Sequence, residues 1–265
     1  MYSPLQLGTR FLKYYITASS GKGHGVHSPF VFEFITKILN DDRHFYAYQS
    51  IENFRQLLLS DDRQVMIEDF GAGSRVKKTN IRSVRDIARS SLKSKKFGQL
   101  LFRIINHYSP VTILELGTSL GITTAYLASA RPDANVITME GAREVAEIAE
   151  KNFTQLHLAN ISIVQGNFDE TLPATLHKNG KIDLAFIDGN HRYEPTVRYY
   201  RQLLPAVHEY TVLIFDDIHW SKEMERAWAE IKQEPMVMLS IDLFFIGLVF
   251  FRKENKDKQH FTIRF

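Results

Sequence analysis

From residue 111 onward, short apolar runs alternate with longer stretches in which apolar residues recur every three or four positions. Apolar runs bounded by turn residues read as buried strands, and the longer period reads as helix. The pattern predicts strands over 112–116, 135–139, 161–165, 182–187 and 211–215. Each is followed by a predicted helix: 122–129, 143–158, a short one near 172–178, 194–204 and 221–233. Residues 236–242 and 245–251 read as two more strands. The link between them is too short for a crossover, so they form an antiparallel hairpin. Residues 260–265 add a short extended tail. The fold class is therefore α/β, a doubly wound and mostly parallel sheet with helices on both faces and one antiparallel strand near the C-terminal end.

Before residue 111 the alternation is absent. Ser28 caps a helix with Pro29 at its first position, running through PFVFEFITKIL. Further helices are expected over 46–59, 81–91 and 98–108, the last ending before Pro110, with a loop over 67–80. The chain divides on this reading into an N-terminal helical lead-in or cap, 1–93, and a sheet domain, 94–265. The aromatic residues of the lead-in (Phe11, Tyr14, Tyr15, Phe30, Phe32 and Phe34) are expected to pack on the sheet domain or on a twin subunit in a homodimer.

Composition narrows the classes. With 44% hydrophobic and 24% charged residues the 265-residue chain reads as globular. It has no cysteine, which excludes disulfides, thiolate metal sites and cysteine nucleophiles and suits a reducing, cytoplasmic setting. No apolar run is long enough to span a membrane, and residues 1–15 lack the continuous apolar core of a signal peptide. The net charge of +3 does not by itself imply nucleic acid, but residues 75–103 hold ten Lys or Arg and one acid, Asp86. That stretch is either a solvated face or a surface for an anionic partner, RNA included.

The densest chemical signal is VTILELGTSLGITTAYLASA, residues 111–130. A strand carrying Glu115 runs into a turn with Gly117 and Gly121, then into a helix. Glycines there permit a sharp turn and close approach of a ligand, and the amides at the helix start meet negative charge. Successive strand ends are also polar. Glu140 follows the second strand, Gly166-Asn167-Phe168-Asp169 the third, Asp188 the fourth, and Asp216-Asp217 the fifth. An acid at the second strand end accepts from both ribose hydroxyls, and the third set suits an adenine edge. Ser119 stands where the dinucleotide G-x-G-x-x-G fingerprint needs glycine, and no phosphate-cradling G-x-x-x-x-G-K-[ST] occurs, so an adenosine ligand fits better than a dinucleotide.

ILELGTSLG, ITMEG, VQGNFDE, FIDGNHRYE and LIFDDIHW, in this order and spacing, resemble the class I S-adenosylmethionine-dependent methyltransferases. Within that class they resemble the O-methyltransferases related to catechol and caffeoyl-CoA methyltransferases. FGQLLFRIINHYSP resembles that group's glycine-glutamine helix, and the GHGVHSPF opening resembles a bacterial branch with an extra N-terminal helical segment. The resemblance covers roughly residues 94–252 and implies a Rossmann-like methyltransferase domain. It assigns Gly117, Thr118, Ser119, Gly121 and Thr123 to the methionine part of S-adenosyl-L-methionine and Glu115 to its amino end. Glu140 and Gly141 go to the ribose, and Asn167, Phe168 and Asp169 to the adenine. Asp188 lies toward the sulfonium, and Lys95 and Phe97 close over the cofactor.

Asp188, Asp216 and Asp217 are expected at the ends of neighbouring strands, where like charges repel unless a cation or protons intervene. Carboxylates suit Mg, Mn or Ca. The resembled family implies such a metal, held by an Asp and an Asp-Asn pair, which lowers the pKa of the hydroxyl to be methylated. Here Asp217 replaces the Asn. His191 stands where that family often has a basic lysine, and histidine can take a hydroxyl proton. The catalytic pair is then Asp188 and His191, with His219 and Trp220 walling the acceptor pocket. The plainer alternatives are that Asp216 caps the next segment and that His191 merely contacts substrate or caps. IEDFGAGS, 67–74, mimics a second cofactor turn but lacks the following acid-tipped strand, and reads as a connector or lid around Gly71–Gly73. His24 and His27 have no nearby acids and read as loop. The leading expectation is an O-methyltransferase acting on a small hydroxylated acceptor, assisted by a divalent cation. RNA as acceptor and a non-catalytic S-adenosylmethionine-binding protein are the alternatives, and a dinucleotide redox enzyme is more distant.

Overall fold

In a computed structural model, residues 1–67, 81–254 and 256–265 are described. Ser3 and Gln6 form a reciprocal capping box that starts α1, Pro4–Thr17, a helix the periodicity did not reveal. Ser28 caps α2, Pro29–Phe34, which continues as a π-helical turn, Ile35–Leu39. Then follow α3, Tyr46–Leu59; β1, Gln64–Met66; β2, Ile81–Ser83; α4, Val84–Ser91; and α5, Lys95–Tyr108. The alternating part contains β3, Thr112–Leu116; α6, Ile122–Ala130; β4, Asn135–Glu140; α7, Arg143–Gln155; β5, Ile161–Gln165; and α8, Phe168–Asn179. It goes on with β6, Leu184–Ile187; α9, Tyr193–Leu203; β7, Val212–Asp216; and α10, Lys222–Gln233. The chain ends with β8, Leu239–Asp242; β9, Ile246–Phe250; and β10, Gln259–Thr262.

The backbone forms two compact units. In Asp42–Thr175, β3, β4 and β5 pair in that order and in parallel, with Glu115 opposite Thr138 and Glu140 opposite Gln165. Phe54, Phe102, Leu120 and Tyr126 belong to its core. Gly98 of α5 has a physical reason to be glycine: a Cβ there would lie 2.5 Å from the Tyr126 ring. The expected helix 81–91 is a correction. Its first three residues form β2, antiparallel to an unforeseen β1, and Ser83 then caps α4. The expected short helix near 172–178 in fact starts at Phe168, where Asn167 offers its side-chain oxygen to the Asp169 amide at 3.0 Å. The expected loop and the Gly71–Gly73 motif lie outside the described residues.

The second unit joins Met1–Asp41 to Leu176–Phe265. Here β6 and β7 run parallel, β9 pairs antiparallel with β7, β8 antiparallel with β9, and β10 parallel with β8. One strand is thus reversed, as the short link between β8 and β9 demands. Four of the six N-terminal aromatics pack on this unit: Phe11 meets Phe244 edge-on at 5.1 Å, Tyr14 lies 5.2 Å from Phe244, and Phe30 and Phe34 meet Phe250 at 5.0 and 6.5 Å, whereas Tyr15 and Phe32 are exposed. Ser19 bridges to Ile263, tying the start of the chain to its end. Among the described residues no helix is long and apolar enough to cross a membrane.

Candidate functional site

The first cradle lies at the carboxyl ends of β3 and β4, inside the unit Asp42–Thr175. The turn after β3 is held by the Gly117 and Thr118 amides, which both donate to the Met139 carbonyl, at 2.9 and 3.1 Å. Gly117, Ser119 and Gly121 have φ of 108°, 47° and 82°, and Gly121 opens α6. Two of these left-handed positions are glycine, where such a backbone carries no Cβ penalty. At Gly121 a Cβ would also lie 2.4 Å from the Phe153 ring. Glu140 turns back over this turn: its Oε2 accepts from the Ser119 amide at 2.8 Å and its Oε1 from the Ala142 amide at 3.0 Å. The Ser119 hydroxyl is buried and has no hydrogen-bond partner in the structure. An orphaned hydroxyl beside a left-handed turn fits a ligand that supplies the missing bond.

Behind the turn is a buried polar chain. Glu115 is fully buried, and its Oε2 accepts from Thr124 at 2.5 Å and from Thr138 at 2.6 Å. Thr138 has one hydroxyl hydrogen, which goes to Glu115, so the 2.6 Å contact between Thr118 and Thr138 has Thr118 as donor. Thr123 is also buried, at the start of α6. On the β5 side Gly166 adopts φ 133°, and Asn167 caps α8, so Phe168 and Asp169 stand in that helix's first turn. Gly141 follows β4, and Lys95 and Phe97 stand in the first turn of α5. Thr138 and Thr124 were missed by sequence reasoning. The strand register, which sets Thr138 opposite Glu115, is the signal that finds the first of them.

The second cluster lies in the other unit, at the carboxyl ends of β6 and β7. Ligand atoms of Asp188, His191 and Asp216 all lie within 4.8 Å of one another. It is the one such group among the described residues, and neither His24 nor His27 belongs to one. Asn190 and His191 occupy successive left-handed positions, φ 69° and 35°, which fold the imidazole back so that Nε2 sits 3.4 Å from Asp188 Oδ1. Non-glycine residues hold such a backbone only where their surroundings enforce it. Burial disfavours a charge on His191. The hydrogen bond and charge of Asp188, with the charges of Asp217 and Asp216, outweigh it and push its pKa up to about 9. Asp217 is left-handed too, φ 52°, and its charge acts on His191, but it is not one of the three residues brought together. Two carboxylates and an imidazole at this spacing fit a divalent ion such as Mn²⁺, provided the imidazole is neutral. Asp216 does not cap α10, because Ser221 does, accepting from the Met224 amide at 3.1 Å. His219 offers no open ring nitrogen: Nε2 faces Asp242 at 2.9 Å and Nδ1 faces Glu225 at 3.2 Å. A separate cavity of about 730 Å³, lined by Lys181, His208, Met236 and Phe251 among others, lies near the amino-terminal ends of β6 and β7. None of the expected site residues lines it.

A family model described as a methyltransferase domain matches residues 114–218. Catechol O-methyltransferase of Niastella koreensis is 30% identical over 126 residues, 46% of this chain and 55% of that protein. The chain spans about half or less of the length of the curated relatives it matches. Among solved structures, a Podospora anserina methyltransferase bound to S-adenosylhomocysteine aligns with TM-score 0.60 at 12% identity, covering 96% of this chain and 98% of that one. An O-methyltransferase from Bacillus cereus in complex with the same ligand aligns with TM-score 0.55 at 18% identity, covering 83% and 96%. These structures share the fold. With the matched domain beginning in β3 and ending just past β7, the chain resembles the S-adenosylmethionine-dependent methyltransferases, catechol O-methyltransferase among them.

Proposed function

We propose that this chain transfers a methyl group from S-adenosyl-L-methionine to the hydroxyl of a small acceptor, with a divalent cation at Asp188 and Asp216. The convergence of Asp188, His191 and Asp216 carries this reading. A cluster of that kind has no need to exist in a protein that only stores or senses the cofactor. On the cofactor side, Glu140 receives the ribose hydroxyls, Glu115 and the turn from Gly117 to Gly121 receive the methionine end, and Asn167 to Asp169 border the adenine. On the acceptor side, Asp188 and Asp216 hold the ion and Asp217 adds negative charge. A bound divalent ion supplies charge that lowers the acceptor hydroxyl's pKa. A cation at Asp188 and Asp216 would oppose the charge that those carboxylates otherwise favour on His191, and the imidazole, once neutral, takes the hydroxyl proton at Nε2. The sulfonium is already activated, so the remaining work is alignment of oxygen, methyl carbon and sulfur and exclusion of water.

RNA as the acceptor is less well supported. In the basic stretch, Arg82 is buried and donates to the Ser90 hydroxyl, Arg103 is buried, and Arg85 pairs with Asp62 at 2.8 Å. Arg82 and Arg103 therefore serve the fold, whereas Arg85, Arg89, Lys95 and Lys96 lie at the surface. A turnover assay with catechol and labelled S-adenosylmethionine, with and without Mg²⁺, tests the proposal. Asp188→Ala should abolish metal-stimulated turnover and leave S-adenosylhomocysteine affinity nearly intact. His191→Gln should lower turnover by about a hundredfold and leave Mn²⁺ affinity unchanged. Loss of Mn²⁺ binding in His191→Gln would instead make the histidine a ligand.

A further inference from the structure

Glu225, in the first turn of α10, joins parts of the chain that are distant in sequence. Its Oε1 accepts from Arg10 at 2.6 Å and faces His219 Nδ1 at 3.2 Å, and its Oε2 accepts from the Tyr2 hydroxyl at 2.7 Å. The Arg10 guanidinium lies 4.0 Å above the centre of the Tyr2 ring. The Tyr2 amide donates to the Trp220 carbonyl at 3.1 Å. On the far side of His219, Asp242 is fixed by Trp228 Nε1 at 3.1 Å and by the Phe244 amide at 2.9 Å, and the His219 ring stacks on Phe244. The segment that follows the paired aspartates is therefore gripped twice by the N-terminal segment. Tyr2 holds its backbone at Trp220, and Tyr2 and Arg10 hold its His219 side chain through Glu225.

That segment needs holding. Asp217 is left-handed at φ 52°, and a turn bond from the Trp220 amide to the Asp217 carbonyl at 2.9 Å closes the loop. An exposed Arg–Glu pair alone contributes little. Here the pair belongs to a network that reaches buried Asp242, where each member limits the geometry of the next.

We infer that Tyr2 and Arg10 are positioning residues for the acidic rim. Acting through Glu225 and His219, they fix the loop from Asp216 to Ser221, and with it the Asp216 carboxylate. The inference rests on the reading of that rim as a divalent-cation site. It assigns the N-terminal segment a task in the proposed reaction without direct contact with any ligand.

The test uses the full chain and Mn²⁺ alone as probe, titrated by calorimetry, with S-adenosylhomocysteine affinity and thermal midpoint measured in parallel. The variants are Tyr2→Phe combined with Arg10→Ala, Arg10→Lys, and Tyr14→Phe. The last removes the hydroxyl that donates to the Ile263 carbonyl from the other end of α1 and leaves Glu225 untouched. The double variant should weaken Mn²⁺ binding by about two- to thirtyfold, the range for residues that act through a packed network without touching the ligand. S-adenosylhomocysteine affinity should change by less than about twofold in the same variant. Arg10→Lys should retain most of the Mn²⁺ affinity, and Tyr14→Phe should keep it whatever its thermal midpoint. Wild-type Mn²⁺ affinity in the double variant, or an equal loss in Tyr14→Phe, overturns the inference alone. A wild-type protein that takes up no Mn²⁺ overturns the cation-site reading and the inference with it.

Discussion

Glu115 is a carboxylate that water does not reach, and two threonine hydroxyls aim at one of its oxygens. Glu115→Gln preserves the shape and an oxygen that can accept both hydroxyls, so the fold should survive. The charge is lost, and a hydrogen bond to a charged group contributes about 1.5–3 kcal/mol. If the carboxylate holds the cofactor's amino end, S-adenosylhomocysteine affinity should therefore fall at least about tenfold at nearly constant thermal midpoint, by calorimetry and scanning. Gly121→Ala tests the turn itself. Its left-handed φ and the clash with Phe153 together should cost about 2–4 kcal/mol, read as a lower denaturant midpoint. The carboxylates of these sites stood out in the sequence because a charge ending an apolar strand has few structural uses. Thr124 and Thr138 did not, since threonine is an ordinary strand and helix-start residue. Only pairing reveals which threonine faces a buried acid.

At the scale of elements, the loop before α10 and the β8–β9 hairpin are joined by the His219–Asp242 pair. Burial opposes both charges, yet the hydrogen bond between them raises the His219 pKa and, with the Phe244 amide and Trp228, lowers that of Asp242. The Asp242 contribution to stability is fully present above its unfolded value near 3.8 and is lost as pH falls through the lowered folded value. The His219 contribution is fully present below 6.5 and is lost as pH rises through the raised folded value. The pair should stabilise most between these limits. Thermal midpoints of His219→Gln and of wild type should differ most near pH 5 and converge at high pH. A constant difference across pH would refute this. Among the elements, the hairpin was legible because its link permits no crossover, and β3 to β7 because buried parallel strands are uniformly apolar. The helix α1 was obscured because its apolar residues are spread round much of its surface, leaving Leu5, Leu12 and Ile16 exposed. The strand β2 merges into the helical pattern because three residues ending in the capping Ser83 carry no periodic signal of their own.

For the molecule as a whole, the sequence order of elements hid how contacts group them. The first 41 residues pack with the C-terminal unit, tied to it by Tyr2, Arg10 and Ser19, whose partners lie more than two hundred positions away. No local pattern encodes such a pairing. Charge at this scale discriminates between acceptors. A small-molecule enzyme should keep its KM between low and moderate salt, whereas an RNA-dependent one should lose affinity steeply through counterion release. The central claim is that the tips of β3 and β4 form a cradle for an adenosyl cofactor. Calorimetric titration of S-adenosylhomocysteine into wild-type protein and Glu140→Ala tests it most directly. A saturable one-to-one complex is expected, weakened at least about tenfold when the carboxylate is removed. No binding to the wild type, or equal affinity in Glu140→Ala, would contradict it.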